Sequence, residues 1–189
     1  MKKIPTLFAR DPDDMSKITR HVSVGCEWVL NGEGVATRKY DGTCVMYDGQ
    51  RWWARREVKA GKVPPPNFAA IETDHRTGKT VGWEHIEQSA FAKWHAQALA
   101  SHAAHFGPED FEPCTYELIG VKINGNPERI DPDFGHQLIC HDLAERLDAP
   151  RDFDGLAAFL ADFGGEGIVW HHPDRRMAKL KRRDFGSKR

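Results

Sequence analysis

Between Val35 and Val58 apolar and polar residues alternate with period two, and two Asp-Gly pairs, Asp41-Gly42 and Asp48-Gly49, break the alternation. Period two sends successive side chains to opposite faces of a pleated strand, and Asp-Gly favours the positive-φ turns of hairpins. This stretch therefore commits the chain to antiparallel β-structure, and it reads as a three-stranded meander. Lys39 stands at the end of its first strand, just before the first turn. Pro64-Pro65-Pro66 follows as a stiff extended connector that neither a helix nor a central strand accepts.

From about Glu84 to Phe106, Phe91, Trp94, Ala98 and Leu99 recur at helical spacing, and Gly107-Pro108 ends the predicted helix. Thr115 to Ile123 reads as a strand, Asn124 to Gly135 as a long loop, and His136 to Leu143 as a further strand. Asp152 or Asp154 can cap a short helix running through Asp162, which Gly164-Gly165 stop. Glu166–His171 and Met177–Asp184 form a closing hairpin through Pro173-Asp174. Strands mixed with segregated helices predict an α+β fold of antiparallel β-sheets with flanking helices. A length of 189 residues suits one domain, 1–189, with room for a small lobe, and residues 186–189 read as a frayed tail.

No stretch approaches the roughly 20 apolar residues that span a membrane. The opening Met-Lys-Lys-Ile-Pro-Thr resembles the start of a signal peptide, but Arg10 and Asp11 end the apolar run before a hydrophobic region forms. Cys26, Cys44, Cys114 and Cys140 are widely spaced with no C-x-x-C. They read as structural thiols of a reducing cytoplasm rather than a disulfide frame or a zinc site. Nor do His85, His95, His102 and His105 show tight ligand spacing. The tryptophans Trp52, Trp53, Trp94 and Trp170 read as packing residues, with Trp83 left open as a stacking surface.

Net charge is −1, which argues against a protein that holds nucleic acid by bulk attraction. Charge distribution is more informative. Of 27 basic and 28 acidic residues, the stretches 51–62 and 175–189 together take 13 and 2, so the rest carries 14 and 26. Two basic patches on an acidic body suit a localised polyanion site.

Lysine attacks electrophiles only as the free amine. Partial desolvation and nearby cations such as Arg38, Arg55, Lys179 and Lys181 would lower the pKa of Lys39 from its reference value of about 10.4. Attack on an α-phosphate also needs fixed positive charge around the phosphate oxygens. Lys179 and Lys181, two apart on a strand, share a face and can reach one phosphate. Glu166, acidic at the start of an apolar strand, is placed to hold Mg²⁺. Glu117, between Tyr116 and Leu118, is the same kind of oddity, and for either carboxylate the plainer role is to partner a nearby Arg.

The ordered set Lys39-Tyr40-Asp41-Gly42, Arg55-Arg56, Thr115–Gly120, Glu166–Trp170 and Lys179-Leu180-Lys181 resembles the five motifs of the covalent nucleotidyltransferases, the polynucleotide ligases and mRNA capping enzymes. Within them it is most similar to compact ATP-dependent RNA ligases, over roughly residues 30–185. WARREVK, TYELIG, KINGNPE and EGIVWHH carry that likeness. The resemblance implies a nucleotidyltransferase (ATP-grasp-like) domain in which Lys39 becomes adenylylated. By the same resemblance Thr37, Arg38, Arg55, Arg56 and Glu117 contact the nucleotide, with Glu117 on the ribose. Lys179 and Lys181 would hold the α-phosphate. Glu166 and Asp41 would serve the metal, with Mg²⁺, or Mn²⁺ in its place, accompanying ATP. His141 stands where these ligases usually place an aromatic against adenine, and Val169 would cover the base's other face. The chain ends soon after the fifth motif, like the small RNA ligases without a C-terminal OB domain. The expected partners are ATP and RNA with 5′-phosphate and 3′-hydroxyl ends, without a membrane. A DNA-nick ligase, a GTP-using capping transferase and a non-catalytic nucleotide- or RNA-binding module are the alternatives.

Overall fold

The computed structural model describes residues 2–106 and 111–186. In chain order the elements are β1 (Phe8–Arg10), β2 (Ile18–Val22), α1 (Glu27–Leu30), β3 (Val35–Lys39), β4 (Thr43–Tyr47), β5 (Trp52–Val58), β6 (Ala69–Asp74) and β7 (Lys79–His85). They continue with α2 (Ala92–Phe106), β8 (Thr115–Gly120), β9 (His136–Cys140), α3 (Phe153–Asp162), β10 (Gly167–His171) and β11 (Met177–Lys181). The named strands pair antiparallel throughout, and the architecture is α+β with few helices. No helix among the described residues is long and apolar enough to cross a membrane. The chain divides into two compact units, one of residues 1–3 and 41–143, the other of 4–40 and 144–189.

The first unit holds a six-stranded sheet in the order β6-β7-β5-β4-β8-β9. Alternation along its strands puts Val45, Ala54, Tyr116 and Leu118 into one core with Ile86, Ala98 and Ile123. On α2, Ala98 and His95 are buried, and His95 meets Trp52 at 4.6 Å between ring centroids. Trp52 also contacts Tyr47, Phe111 and Tyr116, so it packs the core.

The second unit holds the three-stranded sheet β11-β10-β3 and the β1-β2 ribbon. The β10 sequence GIVWH is buried over its first four residues, which follows from its central place between β3 and β11. On α3, Leu156 and Leu160 at helical spacing meet Ile168, Trp170 and Leu180 in the core. Asp152 caps that helix, its side chain accepting from the Gly155 amide at 2.8 Å.

Four readings of the sequence are corrected. The 35–58 stretch is not one meander. β4 and β5 form a hairpin, whereas β3 pairs with β10, and Asp41-Gly42 links strands of different sheets. The predicted helix from Glu84 begins only at Ala92, because Glu84 and His85 end β7. His141–Leu143 and Arg182–Phe185 leave their strands as 3₁₀ turns. β8 stops at Gly120, short of Ile123. The strands β1, β2, β6 and β7 lie outside the elements read from sequence. The Gly107-Pro108 helix stop and residues 187–189 of the expected tail fall outside the described residues.

Candidate functional site

Lys39 is the last residue of β3 and lies opposite Gly167 of β10, while Lys181 of β11 lies opposite the same Gly167 from the other side. A side chain at Gly167 would meet the Leu180 carbonyl oxygen at 2.1 Å, so glycine is what lets β11 approach. Glu166, one residue earlier, sends one carboxylate oxygen to each lysine. Lys39 Nζ donates to Oε2 at 2.5 Å, and Lys181 Nζ donates to Oε1. The Glu166 side chain is only 8% exposed. Burial alone would raise its carboxyl pKa, but the two ammonium groups outweigh burial and hold it below the ordinary glutamate value.

Strand register sorts the neighbours. Thr37, Val169 and Lys179 stand in one row of the sheet, and Lys39, Gly167 and Lys181 in the next row on the same face. Arg38 belongs to the opposite face with the core residues Ile168 and Leu180. Its guanidinium lies over the rings of Tyr40 and Phe163, at 5.1 and 5.9 Å, and 3.7 Å from Glu145. Thr37 Oγ1 donates to the Val169 carbonyl at 3.2 Å. Asp184, buried, accepts from Arg10 Nη2 at 2.7 Å and from the Lys181 amide at 2.9 Å, which anchors the end of β11.

In the six-stranded sheet Glu117 occupies the middle of β8 and is 9% exposed. Its Oε1 accepts from the Gly42 amide at 3.1 Å, and its Oε2 lies 3.0 Å from His141 Nε2. The other ring nitrogen, Nδ1, lies 2.8 Å from Thr115 Oγ1, so both edges of the imidazole are held. Cys44 lies opposite Glu117, and counting one pair beyond Val45–Ala54 puts Arg55 on the other side of Cys44. Trp83, buried, faces Arg55 from β7. Glu117, Arg55 and Trp83 thus share a sheet face. Arg56 points to the other face, 3.8 Å from Glu84.

The Asp41-Gly42 turn is fixed by two residues of the KINGNPE stretch to which the motif reading gave no role. Asn124 Nδ2 donates to Asp41 Oδ1 at 3.1 Å and to the Gly42 carbonyl at 2.9 Å. Glu128 Oε1 accepts from the Asp41 amide at 2.8 Å. Asn124, Asn126 and Arg129 adopt positive φ, a conformation in which asparagine is enriched; the Asn-Gly-Asn run was the available signal. A Cβ at Gly42 would lie 2.3 Å from the Leu118 carbonyl oxygen, so the turn can approach β8 only with glycine there.

Taken chemically, the first cluster can present an amine beside fixed positive charge, and the second can hold a carboxylate and an imidazole in fixed directions. Both Glu166 oxygens are engaged by ammonium groups, so this carboxylate fits a cation only where one lysine gives up its charge or its contact. No protein-family model matches the chain, and no curated protein matches it.

Proposed function

We propose that the protein is an ATP-dependent RNA ligase that joins a 5′-phosphate to a 3′-hydroxyl through a lysyl-AMP on Lys39. The observation that carries this reading is the convergence of Lys39 and Lys181 on the buried Glu166 carboxylate, with Lys39 ending the strand before the Asp41-Gly42 turn. It supports an amine held beside permanent positive charge, which phosphoryl transfer requires.

In the first transfer the Lys39 Nζ lone pair bonds to the α-phosphorus of ATP. The bond to the β-phosphate oxygen breaks and pyrophosphate leaves, while the protons of the former ammonium go to solvent. Deprotonation, which precedes attack, removes the charge of Lys39, so Glu166 loses one of its two counter-ions before the bond forms. Glu166 would be the residue to hold Mg²⁺ or Mn²⁺, and a cation there would supply charge neutralisation to the phosphates. Lys181 and Lys179 are assigned to the α-phosphate oxygens, Arg55 to the phosphates and ribose, and Glu117 to the ribose. His141, its ring orientation set by Thr115 and Glu117, is assigned to a face of the base. In the second transfer an oxygen of the RNA 5′-phosphate attacks the AMP phosphorus and releases the Lys39 amine. In the third, the 3′-hydroxyl attacks the RNA phosphorus and AMP departs.

Incubation with α-labelled ATP and Mg²⁺, followed by denaturing electrophoresis, tests the reading. Label should stay with the wild-type chain, be absent from Lys39→Ala, and be displaced by RNA bearing a 5′-phosphate. Transfer from GTP in preference to ATP would move the reading to a capping transferase, and retention of label by Lys39→Ala would remove the assigned nucleophile.

A further inference from the structure

Cys114 and Cys140 are free thiols whose Sγ atoms lie 3.0 Å apart, and the Asp142 carboxylate joins them with all three donor atoms within 4.8 Å of one another. The register of β8 and β9 brings them together. Cys140, the last residue of β9, faces Tyr116, and Cys114 lies two residues before Tyr116, next to the start of β8. Asp142 follows in the 3₁₀ turn His141–Leu143, which keeps its carboxylate within reach of both sulfurs. Both thiols are half-buried, whereas Asp142 is exposed and leaves an approach from solvent.

We propose that Cys114, Cys140 and Asp142 form a binding site for a thiophilic divalent cation of the zinc class, with water as the fourth ligand. Donor chemistry favours this class, since two sulfurs and one carboxylate suit a soft or borderline cation rather than Mg²⁺. Geometry is within reach of it. Two sulfurs on one tetrahedral ion at about 2.3 Å stand roughly 3.8 Å apart, so each thiol need move only about 0.4 Å, the scale of a small side-chain rotation. Both sulfurs belong to free thiols rather than to a disulfide. Binding therefore forms two sulfur–metal bonds and releases two thiol protons to solvent. This site stands apart from the ligase reading and survives its failure, although His141 lies between two of the donors in sequence.

The test is titration of the tag-free, metal-stripped, fully reduced chain with Co²⁺. Thiolate-to-cobalt charge-transfer absorption and tetrahedral cobalt bands should saturate at one equivalent, disappear when Zn²⁺ is added, and be accompanied by proton release. Cys114→Ser and Cys140→Ser should each abolish the charge-transfer band, and Cys44→Ser should retain it. Asp142→Asn, at an exposed position that leaves the core intact, should weaken Co²⁺ binding about tenfold or more. Absence of a charge-transfer band in wild-type protein whose four thiols all react with a thiol reagent after denaturation overturns the proposal. So does a band that persists in Cys114→Ser, or an Asp142→Asn titration that matches wild type. Conversion of the pair to a disulfide by mild peroxide, in protein that gave no cobalt band beforehand, overturns it in favour of a redox pair.

Discussion

Lys39, Lys179 and Lys181 are three like charges on one sheet face, yet in the proposed reaction only Lys39 needs a free amine. Lys179 and Lys181 act in the proposal as fixed charges, so no added Mg²⁺ should restore an ammonium lost from either. Lys179→Ala and Lys181→Ala should each slow transfer of AMP to Lys39 about a hundredfold or more, measured without RNA across a metal titration. Near-normal adenylylation in both variants, with only a salt-sensitive loss of RNA affinity, would reduce them to surface charges. Glu166 separates differently, because Glu166→Gln removes the counter-ion of two lysines at once. At this scale the sequence was legible where chemistry is local. Lys39 beside a turn and Glu166 heading an apolar strand could be picked out by residue type alone. Arg55 and Arg56 could not be told apart, since a one-residue change of register exchanges sheet faces and only the pairing of β4, β5 and β8 decides it.

Elements show what packing adds. β8 and the Asp41-Gly42 turn approach so closely that Gly42→Ala would drive a methyl group into the Leu118 carbonyl. Destabilisation of about 1–3 kcal/mol in urea melts is expected, with loss of the Glu117–Gly42 hydrogen bond. A second consequence concerns α2. His95 is 3% exposed, and burial, opposed only weakly by Glu87, lowers its pKa to about 4. The unfolded chain takes up this proton near pH 6.5 and the folded chain only near 4, so stability should fall as pH drops through that window. The loss should reach about 3 kcal/mol at most, and His95→Phe should remove much of the slope in urea midpoints taken between pH 7.5 and 5. Burial also lowers the pKa of His136, which adds slope of the same sign in wild type and variant alike. Cap and stop residues marked α3, and alternation around the Asp48-Gly49 turn marked the β4–β5 hairpin. Sequence periodicity missed β6, where the ladder with β7 shifts between Ala70 and Glu72, and it ran the pattern of α2 back into Glu84 because helix and buried strand look alike over a few apolar residues.

Across the molecule, each compact unit is assembled from separate stretches of chain, and the boundary between Tyr40 and Asp41 cuts the Lys-x-Asp-Gly run itself. Pairings within 41–143 include the local hairpin Val45–Ala54, whereas Lys39 must find Gly167. Closing the longer loop costs about 2 kcal/mol more in chain entropy, which favours formation of β4 and β5 before β3 and β10. Pulsed hydrogen exchange during refolding should therefore protect β4 and β5 amides ahead of those of β3 and β10; simultaneous protection would show that the two units fold as one. During synthesis the consequence is one of timing. The residue proposed to carry AMP leaves the ribosome long before the carboxylate that steadies it, so a nascent or prematurely terminated chain holds the reactive lysine without the partner that completes it. Translation thereby keeps Lys39 apart from its Glu166 partner until more than a hundred further residues have been added.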